Sequence, residues 1–207
     1  MENHEEQLAA IQEMRDMMDQ ASRFKSISGL SGILAGILSM VCVCFAYLMT
    51  GISPFESEAL ERMWHSSHQT LLIILISSLF IICVGIGLFM AMRNARESGK
   101  RAWDNAAKRL TYSLAIPVLT GGIFAILLMQ VGLVSLAAPV SLLFYGLGLL
   151  SASKYTLDAV RSVGLFFIIL GLLATAFLAY GILIWALGFG LVHIFYGFII
   201  YTRYERV

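Results

Sequence analysis

Charge is scarce in this chain. Asp, Glu, Lys and Arg make up 13% of its 207 residues, about half the share usual in a soluble domain, and the long charge-free runs exclude an ordinary water-soluble globule. Cysteine occurs three times. Cys42, Cys44 and Cys83 are odd in number and sit inside apolar runs, which excludes a disulfide framework and leaves them as small, polarisable packing residues. Catalytic signatures are also missing. There is no Gly-rich phosphate loop, no HExxH, no GxSxG, and no DxD-type or paired intramembrane carboxylate. The reading is therefore of a non-enzymatic protein with no cofactor.

What is present is hydrocarbon-like sequence. Apolar residues make up 59% of the chain and the mean hydropathy is +0.83, so the useful count is of segments able to cross about 30 Å of hydrocarbon, each about 20 residues long. Six such segments are expected, over residues 27–49, 70–92, 111–132, 136–152, 161–179 and 182–203. The fold class is all-α, a polytopic membrane protein. Residues 1–25 form an amphipathic cytoplasmic helix and 26–207 a six-helix transmembrane domain.

The amphipathic character of residues 2–24 rests on Leu8, Ile11, Met14, Met18 and Ala21, spaced by three and four among acidic neighbours. An acidic start differs from the basic first region of a secretory signal peptide, so the segment is expected to be retained. It would pack on the cytoplasmic rim, form a homo-oligomer through its Met-rich stripe, or dock a cytoplasmic protein. In the first span Ser28, Gly32 and Gly36 recur every fourth residue, a face on which another helix can approach closely. In the last span Ala186, Gly190, His193 and Gly197 share one face, with Trp185, Leu187, Phe189 and Phe198 placed on others. Pro117 with Gly121-Gly122 predicts a kink in the third span. Pro139 falls in the first turn of the fourth, and Thr156 or Asp158 is expected to cap the fifth.

Orientation follows from the cations. Thirteen of the fourteen Lys and Arg fall on one side of these spans and only Arg62 on the other, which places both termini in the cytoplasm. The segments GLFMAMR (87–93), GLLSASK (148–154) and GFIIYTR (197–203) each put a glycine six residues before a cation. That pattern reads either as three tandem hairpins or as a spacing common at membrane interfaces.

The stretches YGLGLLSASKYTL, GLFFIILGLL and GFGLVHIFYGFIIYTRYE, with the start EEQLAAIQEMRDMMD and SGLSGILAG, resemble an uncharacterised family of small bacterial multi-pass membrane proteins. The resemblance implies a bacterial inner-membrane setting and the same six-span layout, and it carries no catalytic residue.

Of the four histidines and all the Asp, Glu, Lys and Arg residues, only His193 places its side chain deep in the apolar spans, and such a group is by default a functional hypothesis. Matching the glycine-to-cation ends sets it level with Phe144 and next to Tyr145, and counting about ten residues inward from the cytoplasmic edges puts Ser39 and Thr120 near the same depth. Three readings stay open: a packing imidazole tied to a hydroxyl, a proton or substrate site of a small transporter or channel, and a haem ligand, which would need a second deep histidine from another copy. On the other side of the membrane Glu61, His65 and His68 fall at i, i+4 and i+7 on one face of a short helix, a spacing able to hold Zn²⁺ or another divalent ion, or residues that serve solvation alone. The basic linker 93–110 is too short for a nucleic-acid-binding domain. Its expected partners are anionic head groups of the bilayer.

Overall fold

The structure, a computed structural model, describes residue 7, residues 28–97 and residues 105–205. The amphipathic segment expected over 1–25 lies outside the described residues, apart from Gln7. The elements are α1 (Gly29–Thr50), α2 (Ala59–Trp64), α3 (Gln69–Glu97) and α4 (Asn105–Gln130). A 3-10 turn (Val134–Leu136) then leads into α5 (Ala137–Ala152), followed by α6 (Ala159–Ala176) and α7 (Gly181–Ala186). The last helix continues through a π-helical turn (Leu187–Val192) into α8 (His193–Ile200) and a second π-turn (Tyr201–Glu205). No strand occurs among the described residues. Six helical stretches are long and apolar enough to cross a membrane, and the chain is an all-α multi-pass membrane protein.

α3 runs five residues past the expected end of its span and α4 starts six residues before the expected start of its own. The reason is that RNARE and NAAKRL are rich in good helix formers, and Arg93 Nε donates to Glu97 Oε1 at 2.7 Å one turn along. Charge there takes the helices out of the hydrocarbon without ending them. α4 stays helical through Pro117 and Gly121-Gly122. Asp158 occupies the N-cap position of α6 but makes no side-chain cap bond there.

Small residues set the close contacts. A Cβ on Gly36 would come 2.6 Å from the Gly190 carbonyl oxygen, and one on Gly197 would come 2.6 Å from the backbone nitrogen of Ile33. α1 therefore lies backbone to backbone against the last helix, with Gly29 and Gly32 in the same seam. Gly146 and Gly164 do the same for α5 and α6, each opposing the other's carbonyl at 2.7 and 2.9 Å. α4 seats Gly121 under the Phe144 ring of α5. The three repeat glycines are not used alike: a Cβ on Gly87 would meet nothing within 4 Å, one on Gly148 would meet Leu114 and Val118, and one on Gly197 would meet α1. α3 and α4 come together at one end, where Ala95 and Ala107 are buried. Leu72 and Ala95 are the only buried residues along α3.

Residues 51–68 close the opposite end. Met63 is buried among Ala46, Leu72 and Ile182. The Glu58 N–H donates to the Ala179 carbonyl at 2.8 Å, and Ser135 Oγ donates to Glu61 Oε2 at 2.8 Å. Glu58 adopts φ +58°, a left-handed conformation costing a non-glycine residue about 1–3 kcal/mol. The tether to Ala179 fixes it there.

Candidate intramembrane polar site

Leu142, Phe167, Leu170 and Ala174 form a buried core shared by α5 and α6, and the last helix packs on it through Ile184, Trp185, Phe189 and Val192. Gly188 permits the approach, since a Cβ there would lie 2.8 Å from Leu142 Cδ2 and 3.3 Å from the Phe167 ring. The π-turn widens the helix at this point, so the carbonyl five residues back, that of Gly188, lies beneath the ring of His193.

His193 uses both ring nitrogens. Nδ1 is 3.3 Å from the Gly188 carbonyl oxygen, and Nε2 is 2.8 Å from the Tyr145 hydroxyl on α5. A carbonyl can only accept, so Nδ1 carries a proton; in a neutral ring Nε2 then accepts and the Tyr145 hydroxyl donates. Aromatic faces enclose the pair. The imidazole stacks on Phe189 with centroids 5.6 Å apart and planes 15° apart, and it meets Phe167 edge-on at 5.2 Å. Tyr145 contacts the same two rings at 5.0 and 4.9 Å. Phe167 itself is 0% exposed.

A second bond runs parallel. Trp185 Nε1 donates to Ser141 Oγ at 3.1 Å, and that hydroxyl donates to the Ala138 carbonyl at 2.8 Å. Ser141 and Tyr145 are one turn apart on α5, while Trp185, Phe189 and His193 follow one another at intervals of four. Two side-chain hydrogen bonds and a ladder of stacked rings thus join α5 to the last helix.

Of the four residues expected at one depth, the structure brings together His193 and Tyr145 and leaves out two. Ser39 is buried on α1, where its hydroxyl donates to the Ala35 carbonyl at 2.9 Å. Thr120 is exposed on α4. Depth counting finds the level of a residue but not the direction it faces around its helix. The face assigned to the last helix also divides: Gly190 and Gly197 meet α1 while the His193 ring turns toward α5 and α6. Trp185 and Phe189, read as belonging to other faces, share the stack with His193. Their four-residue spacing was the available signal. Phe167, Ser141 and the Gly188 carbonyl had none.

The candidate metal set does not assemble. α2 ends at Trp64, so His65 is its exposed C-cap and His68 lies beyond the helix with Nδ1 3.3 Å from Ser67 Oγ. Helical spacing stops applying where the helix stops. Among the described residues no group of three or more His, Cys, Asp or Glu is placed to hold a metal ion. The same segment, residues 51–68, holds an exposed ion pair between Arg62 and Glu56. The Ser53 N–H donates to Glu56 at 2.9 Å; that bond first, and Arg62 second, hold the Glu56 carboxyl below its ordinary value.

Comparison with known proteins adds no family: no protein-family model, no curated protein and no solved structure matches this chain.

Proposed function

We propose that this chain is a non-enzymatic protein of the bacterial inner membrane. On this reading its helical bundle serves as a fixed scaffold, and its work, structural, sensory or partner-regulating, is done at the cytoplasmic surface, where residues 2–24 and the basic linker lie. The one-sided distribution of Lys and Arg supports cytoplasmic termini. The resemblance noted above supports the bacterial setting.

The observation that carries the scaffold reading is the state of His193. Its two nitrogens are occupied by Gly188 and Tyr145, and its ring stacks on Phe189 and meets Phe167 edge-on. A midplane transport site needs polar groups turned toward a shared pathway. Here Ser39 is bonded to its own helix and Thr120 faces outward, so neither joins His193 and Tyr145 in a shared pathway.

Reconstitution of the full chain in proteoliposomes tests this. Proton flux under an imposed potential should match that of empty vesicles, for the wild type and for His193→Ala alike. A flux that the wild type supports and His193→Ala abolishes overturns the scaffold reading in favour of the transporter. Photo-crosslinking in cells from positions 8, 11 and 14 should give a discrete adduct. Its absence would remove the docking role of residues 2–24.

A further inference from the structure

We infer that the outer face of α3 at its cation-bearing end is a binding site for one anionic phospholipid, the phosphate lying on Arg93 and Arg96 and an acyl chain along Phe89 and Met92. A cleft of about 410 Å³ is lined there by Phe89, Met92, Arg93, Arg96 and Glu97. These residues follow one another on one side of the helix, with Phe89, Met92, Arg93 and Arg96 at i, i+3, i+4 and i+7. The apolar pair is below and the cations are above. From Phe89 to Arg96 the helix rises about 10 Å, enough to pass from hydrocarbon through the head-group layer.

Charge selects the occupant. Arg93 is paired with Glu97 at 2.7 Å, whereas Arg96 makes no ion pair among the described residues. Two guanidinium groups against one carboxylate leave one net positive charge, the complement of a single phosphodiester anion. A zwitterionic lipid would bring its own cation into the same space. The face is open to such a ligand: Phe89 is 61% exposed, and Gly85, one turn below it, has nothing within 4 Å of where a Cβ would stand. Among the described residues, an acyl chain can therefore run down from Phe89 without displacing another helix. The contact between Ala95 and Ala107 steadies this end of α3 against α4.

Native mass spectrometry of the full chain in detergent, titrated separately with phosphatidylglycerol and phosphatidylcholine, tests the site. Phosphatidylglycerol should bind the wild type more tightly, with affinity falling about fivefold in Arg96→Gln and about 25-fold in the Arg93→Gln/Arg96→Gln double variant. Glu97→Gln frees Arg93 and should strengthen binding, a gain that loss of folding cannot imitate. Lys154→Gln, which alters an exposed cation on a different element, should leave the affinity unchanged. Equal binding of the two lipids to the wild type overturns the inference. So does a double variant that keeps wild-type affinity, or a Glu97→Gln variant that gains none. Displacement of phosphatidylglycerol by millimolar inorganic phosphate would assign the cleft to a soluble anion and overturn the lipid assignment.

Discussion

The Tyr145 hydroxyl on α5 lies 2.8 Å from Nε2 of His193 on the last helix, and the two residues are 48 positions apart in sequence. In hydrocarbon neither group has water as an alternative partner, so each depends on the other. Tyr145→Phe should therefore destabilise the protein, His193→Ala should do so further by also removing a ring from the stack, and His193→Gln should recover part of the loss. In a double-mutant cycle of thermal unfolding in detergent the pair should couple by about 0.6–1.7 kcal/mol. Additive effects within about 0.3 kcal/mol would mean that the bond contributes nothing.

The seam between α1 and the last helix makes a second prediction. Gly36→Leu and Gly197→Leu place side chains where backbone already stands. Overpacking of this kind costs about 1–3 kcal/mol. Gly85→Leu and Gly122→Leu put the same side chain into open space and should be neutral or, through better helix propensity, slightly stabilising. A melting series in which all four variants behave alike would refute the assignment of these faces.

Topology is testable by reporter fusions. A chain that crosses six times would carry residues 51–68 on the side opposite the linker between α3 and α4 and opposite both termini. Fusions after residue 60 should report the non-cytoplasmic side, and fusions after residues 100, 156 and 207 the cytoplasmic side. Opposite sides for the two termini would end the six-span arrangement.

The segment of residues 51–68 should respond to acid. Glu56 has a carboxyl pKa lowered from 4.5 in the folded protein by the Ser53 N–H and Arg62. A depressed folded value means that its contribution is present above about pH 4.5 and is lost as pH falls through the lower, folded value. Arg62→Gln removes one of the two causes and should move the loss to higher pH. Hydrogen exchange at the Ser53 amide, followed from pH 6 to pH 3, reads this directly. Identical profiles for the two proteins would show that Arg62 does not act on Glu56.

The number and rough limits of the membrane spans could be read from sequence because transfer into hydrocarbon is close to a sum over residues along one dimension. The packing face of α1 was legible for a related reason: Gly32 and Gly36 recur at helical spacing, and only small residues allow backbones to meet. The level of His193 relative to Tyr145 followed from matching the glycine-to-cation ends of the fourth and last spans. What the tertiary structure alone decided was direction around each helix. It turned Thr120 outward, bonded Ser39 to its own backbone, gathered Trp185, Phe189 and Phe167 around the imidazole, and brought the Gly188 carbonyl under it through a π-turn. It also left α3 and α4 joined at one end, with little of α3 buried elsewhere. In water an apolar stripe marks the buried face of a helix. In a bilayer lipid tails are as apolar as leucine, so the inward and outward faces of α3, α4 and the last helix carry nearly the same residues, and only their contacts distinguish them.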